Sequence, residues 1–180
     1  LDEQGLALRR VIFEPDDPHA PVQRISYREL HARTCRLANA LRNLGVKKGD
    51  RITIYLPMIP EAIVAMLACA RIGAIHSVVF GGFAAASLAT RIDDAKPKVM
   101  VTSDAGMRGG KPVPYKHLVD EACRLAKHPP AHVVIVNRGL DPKMNVVAGR
   151  DVDYATLRAQ HLDAAVPCEW MESSDPSYIL

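Results

Sequence analysis

Between Arg51 and Val136 the sequence repeats one unit: a short apolar, β-branched run, a turn, then a helical stretch of about a dozen residues. The apolar runs are "RITIYL", "AIHSVVF", "KVMVTS" and "HVVIV". "AIHSVVF" is a continuous β-prone run of the kind that a strand covered on both faces requires. Such units predict an α/β fold, a doubly wound and mainly parallel sheet with helices on both faces, and strands near 51–56, 75–80, 98–102 and 132–136. The core of the chain is therefore expected over 26–136, after a hairpin region at 1–25 and before a looser segment at 137–180.

Local signals set the boundaries. Ser26 and Glu29 form an S-x-x-E capping box, and Leu30, Thr34, Leu37, Ala38, Leu41 and Leu44 follow at helical spacing until Gly45. Pro60 and Glu61 suit the first turn of a second helix, which Gly73 ends. "ASLATRIDDA" and "YKHLVDEACRLAKH" supply two more, "YATLRAQHL" a shorter one, and the last residues, "PSYIL", read as the start of a strand. "RRVIFEP" and "VQRISY" flank the turn-rich "DDPHAP" as a hairpin.

Composition excludes several classes. The 23 Lys and Arg stand against 20 Asp and Glu, a formal +3 scattered along the chain, which gives no nucleic-acid or acidic-membrane surface. The longest apolar stretch, Ala62 to Ile75, is broken by Arg71 and is shorter than the roughly 20 residues of a membrane span. Cys35, Cys69, Cys123 and Cys168 lie far apart, so neither a zinc site nor a redox pair is expected. They read as buried, reduced thiols of a cytoplasmic protein. The opening "LDEQGLALRR" is no signal peptide, and its lack of Met suggests that the native N-terminus lies upstream.

In a parallel sheet, ligands collect beyond the carboxyl ends of the strands. Two loops stand there. Phe80-Gly81-Gly82-Phe83 follows "AIHSVVF", where glycines either let backbone amides approach a ligand or serve a tight turn. Arg108-Gly109-Gly110-Lys111 follows "KVMVTS" and offers a guanidinium fork, a point charge and no intervening side chains, which suits a phosphomonoester or else is an exposed loop with two solvated cations. Neither loop is a P-loop or a G-x-G-x-x-G fingerprint, so a dehydrogenase is disfavoured. His76, inside an apolar strand, reads as a packed and hydrogen-bonded residue. Asp93 and Asp94 read as surface charges, and Trp170 and Met171 as core or loop packing rather than an adenine platform.

The runs "YLPMIPEAIVAMLACARIGAIHSVVFGGF" and "RIDDAKPKVMVTSDAGMRGGK" closely resemble the short-chain acyl-CoA synthetases of the adenylate-forming superfamily, from about Ile25 to Leu180. Val152 and Asp153 stand where acetate-specific members carry a Trp-Trp pair, so the resemblance favours propionate, with acetate as the alternative. It implies an ATP-dependent ligase that uses Mg-ATP, coenzyme A and a short carboxylate, and passes through an acyl-adenylate. It also implies that Arg108, Gly109, Gly110 and Lys111 meet the 3'-phosphate of coenzyme A, with Phe80 and Gly82 bordering the same cofactor. Lys111 departs from the family's second arginine and keeps the charge without the fork. The chain is expected to be part of the N-terminal domain and to carry no catalytic residue, because the ATP phosphate loop would follow Leu180. A stand-alone coenzyme A or nucleotide-binding module is the alternative from another class.

Overall fold

The computed structural model describes residues 10–13, 16, 19, 21–160 and 165–180. Most of the opening decapeptide, parts of "DDPHAP", and the end of "YATLRAQHL" lie outside the described residues.

The core is a six-stranded sheet in which every pairing is parallel. Its strands are β3 (Arg51–Tyr55), β4 (Ile75–Val78), β5 (Val99–Ser103), β8 (His132–Val136), β9 (Asp151–Asp153) and β10 (Tyr178–Ile179). Their spatial order is β10-β4-β3-β5-β8-β9. The chain thus steps from β3 to β4 on one side, then crosses back over β3 to β5 on the other. That reversal opens a crevice at the carboxyl ends of β3, β4 and β5.

Helices cover both faces of the sheet. α1 (Tyr27–Asn43), α2 (Pro60–Arg71) and α5 (Tyr154–Ala159) share one core with Ile52, Ile54, Val99, Val101, Val134 and Val136. α3 (Ala85–Ala95) and α4 (Tyr115–Leu125) share the other with Tyr55, Met100, Val133 and Ile135. Alternate residues of β5 and β8 therefore point into opposite cores, so Val99 to Val101 and Val133 to Val136 are apolar in succession, while the buried Thr102 and Ser103 hydroxyls donate to the Tyr55 and Ala105 carbonyls.

The caps follow the sequence closely. Ser26 Oγ accepts from the Glu29 amide at 3.2 Å, while the Glu29 carboxylate turns to Arg33 rather than closing the box. Gly45 and Gly73 end α1 and α2 at φ +83° and +67°, where a β-carbon would be strained. The N-terminal hairpin is present as β1 (Arg10–Phe13) antiparallel to β2 (Gln23–Ser26). β4 is shorter than its apolar run: Val79 keeps one ladder bond to the Ile54 carbonyl, and the chain then turns at Phe80.

Two elements were not legible in the pattern. β9 extends the sheet within the segment that reads as loose, and a small hairpin, β6 (Gly106–Arg108) with β7 (Lys111–Val113), replaces the open loop after β5. The three strands β6, β7 and β9 are each three residues long, too short to show a period.

Several side chains also depart from expectation. Cys35, Cys69 and Cys123 are buried, but Cys168 is exposed. Trp170 is 92% exposed rather than packed. The buried Nδ1 of His76 has no hydrogen-bond partner among the described residues; its ring lies against Tyr178, and burial lowers its pKa. Asp93 is more than a surface charge, since Oδ1 accepts from the Lys127 and His128 amides and ties α3 to the end of α4.

Candidate active-site crevice

The two glycine loops singled out in the sequence meet at the reversal of strand order. They border one cavity of about 270 Å³, lined by residues following β3 (Leu56, Pro57, Met58), β4 (Phe80, Gly81, Gly82) and β5 (Met107, Arg108), together with Asp16 and Tyr115.

The basic loop is a tight hairpin. Arg108 pairs with Lys111, and Gly109 and Gly110 form the two-residue turn with φ +56° and +73°. Positive φ at both central positions is the type I′ signature, which matches the twist of an antiparallel ribbon. The glycines are there for backbone conformation, because a β-carbon on either would meet nothing within 4 Å. One consequence is that both cations project from adjacent positions at the exposed tip. Among the described residues no carboxylate lies within ion-pair distance of either. An Arg fork and a Lys ammonium on one turn are suited to a dianionic oxyanion.

The other loop uses its glycines differently. A β-carbon on Gly81 would fall 2.0 Å from the Tyr115 hydroxyl, and one on Gly82 would fall 2.4 Å from the Phe80 ring. Gly81 thus admits Tyr115 to the cavity wall, and Gly82 lets Phe80 fold over the turn. Phe80 is 68% exposed and meets Phe83 edge-on, presenting an open aromatic surface beside the cavity. Below it, Tyr55 donates to the Phe83 carbonyl at 2.9 Å and its ring lies 4.9 Å from that of Tyr115. Burial pushes the Tyr55 phenol up to about 12 and raises that of Tyr115, so both stay neutral donors at physiological pH.

Asp16 completes the wall. Burial opposes its charge, yet the Arg138 guanidinium and the Met107 amide outweigh that and hold its carboxyl below the usual range. Asp16, Tyr115 and Arg138 carry no sequence signal of a site. Asp16 sits in a proline-rich turn far from the hairpin in sequence, and only folding brings it there.

A larger, mainly apolar groove of about 440 Å³ lies between α1 and α2, lined by Leu30, His31, Leu67 and Cys168 among others. It shares no lining residue with the crevice, and Arg71 beside it donates to the Val166 carbonyl. Among the described residues no group of three or more His, Cys, Asp or Glu side chains could hold a metal ion. Nor is any described helix long and apolar enough to cross a membrane.

Residues 9–180 match the family described as AMP-binding enzyme. The chain belongs to that family. Among AMP-binding enzymes it is 54% identical to the propionate–CoA ligase of Escherichia coli K12 over 177 residues, which are 98% of this chain and 27% of that protein. It is 50% identical to the acetyl-coenzyme A synthetase of Xylella fastidiosa Temecula1 over 170 residues, 94% of this chain and 26% of that one. Its fold is similar to that of the acetoacetyl-CoA synthetase from Streptomyces lividans, with a TM-score of 0.81 and 30% identity over 94% of this chain and 25% of that structure. The chain thus spans about a quarter of the length of the relatives it matches. Val152 and Asp153, read as markers of acyl preference, lie on β9 at the far edge of the sheet, where Asp153 caps α5 through the Thr156 amide at 2.7 Å.

Proposed function

We propose that this chain is part of the N-terminal domain of an ATP-dependent acid–thiol ligase that joins a short carboxylate, propionate rather than acetate, to coenzyme A through an acyl-adenylate. The hairpin tip is its site for the 3'-phosphate of coenzyme A. The observation that carries this reading is the pairing of Arg108 with Lys111 across a type I′ turn, with no carboxylate partner among the described residues, at the rim of a cavity that also receives the Phe80-Gly82 turn. The donor set fits a phosphomonoester. The open face of Phe80 fits a nucleotide base or pantetheine chain passing into the crevice. The identity of 54% to a propionate ligase against 50% to an acetate enzyme supports the acyl preference. ATP, as its magnesium complex, is assigned no ligand among these residues, and buried unpaired thiols at Cys35, Cys69 and Cys123 agree with a cytoplasmic enzyme.

Arg108→Ala in the full-length enzyme tests the reading. A charge-assisted contact is worth about 1.5–3 kcal/mol, so the KM for coenzyme A should rise about ten- to a hundredfold. Carboxylate-dependent pyrophosphate exchange should be unchanged, because adenylation precedes thiol capture. With 3'-dephospho-coenzyme A as acceptor, mutant and wild type should be alike. An equal loss with both acceptors would mean that the hairpin is structural.

A further inference from the structure

The hairpin that presents Arg108 has few anchors of its own. Among the described residues β6 and β7 pair only with each other, and a lone two-stranded ribbon is marginal in water. With a two-residue turn, Arg108 and Lys111 are the hydrogen-bonded pair and Met107 and Pro112 the non-hydrogen-bonded one. That parity suits Pro112, which has no amide to give to the ladder. It also turns the Met107 amide outward, away from β7.

The outward amide is met by a carboxylate from a distant part of the chain. Met107 N–H donates to Asp16 Oδ2 at 2.8 Å. The same carboxylate receives both terminal nitrogens of Arg138, at 2.8 and 2.5 Å, in a bidentate pair whose Asp16 side chain is 7% exposed. Arg138 is braced in turn. Its Nη1 donates to the Ala105 carbonyl at 3.1 Å, immediately before β6, and its own amide donates to Asp104 Oδ1 at 3.0 Å. Asp104 is fully buried at the exit of β5 and also accepts from the amides of Leu140 and Asp141, at 2.7 and 3.2 Å.

We infer that Asp16 and Arg138 are positioning residues for Arg108, a clamp that grips the hairpin one residue before the guanidinium and fixes it to the exits of β5 and β8. This rests on the reading of Arg108 as a ligand of the coenzyme A 3'-phosphate. Neither clamp residue needs to touch the phosphate. The Asp16 charge is cancelled by Arg138, so the anchor holds the ribbon without lowering the positive potential at its tip.

The experiment uses the full-length enzyme with Asp16→Asn and, from the other side of the pair, Arg138→Gln, each alone and combined with Arg108→Ala. Coenzyme A and 3'-dephospho-coenzyme A serve as alternative acceptors. Each clamp variant should raise the KM for coenzyme A about three- to tenfold, leave kcat near wild type, and leave the KM for the dephospho acceptor unchanged. Added to Arg108→Ala, either should produce no further rise, because there is no longer a guanidinium to aim. If Arg108→Ala shows the acceptor-specific loss and both clamp variants do not, the clamp inference fails while the site reading stands. If Arg108→Ala itself shows no acceptor-specific loss, the site reading fails and the clamp inference with it. Equal losses on both acceptors in a clamp variant, or losses that multiply with Arg108→Ala, overturn positioning in favour of a general structural role. Should Asp16→Asn be too poorly folded to assay, Arg138→Gln alone carries the same comparison.

Discussion

Replacing Lys116 with methionine removes a fully buried ammonium at nearly constant side-chain volume. In the native chain Nζ lies 2.6 and 2.7 Å from the two oxygens of Asp120 and 2.9 Å from Asp151 Oδ2. Arg150 approaches the same two carboxylates, with Nε 2.6 Å from Asp151 and Nη2 in contact with Asp120. Two cations and two anions balance, and they join α4 to β9. Without Lys116 the cluster keeps a net negative charge around Asp151, whose side chain has no exposure. Breaking a buried pair from one side costs about 3–5 kcal/mol. Asp120 is 26% exposed and can recover hydration, so the low end, about 3 kcal/mol, is expected. For a chain of this size that lowers Tm by about 6–12 °C. Thermal and urea unfolding of the purified protein measure it. Lys116→Met combined with Asp151→Asn should cost less than the two singles together, since the second change removes the charge that the first strands. Acid gives a second check. Burial opposes the Asp151 charge, but Arg150, the Val147 amide and Lys116 hold its pKa below the usual range. A depressed folded pKa contributes stability that is complete above the unfolded value of about 3.9 and is lost as pH falls through the folded value. Lys116→Met should shrink that acid-dependent loss. A destabilisation below about 1 kcal/mol, or strict additivity in the double variant, would refute the reasoning.

Gly81→Ala should destabilise by about 1–3 kcal/mol through its collision with the Tyr115 hydroxyl, and Tyr115→Phe should recover part of that loss in the same unfolding assay, because the ring carbon at 2.7 Å remains in the way. At the turn, Gly109→Val should raise the KM for coenzyme A, while Gly109→Asn should be near neutral, since asparagine tolerates the positive φ of a type I′ turn and β-branched valine does not. Equal effects of Asn and Val would show that conformation is not what the glycine supplies.

The layers of the fold were legible because burial on both faces makes Val99 to Val101 of β5 and Val133 to Val136 of β8 consecutive apolar runs, and because Ser26, Pro60, Gly45 and Gly73 mark helix ends through chemistry that acts within a few residues. The same locality explains the misses. β9 contributes three residues, Asp151 to Asp153, two of them acidic, and is a strand only because β8 offers it an edge and Lys116 and Arg150 absorb its buried charge. Cys168 and Trp170 depend on what lies over them, which no local pattern encodes. In the crevice, both glycine loops were visible, but Gly81 owes its role to a tyrosine in α4 and Gly109 owes its role to the turn.

By itself, then, the sequence determined the order of elements, the two-sided burial of the sheet, and the two loops where chemistry gathers, because propensity, capping and burial period are properties of neighbouring residues. Only the tertiary structure decided that those loops share one cavity, since the crossing back over β3 sets which strand exits become neighbours. It alone brought Asp16 and Arg138 to the outward amide of Met107. Hydrogen bonds are directional and short, so whether two distant residues form one depends on where the packed core delivers them.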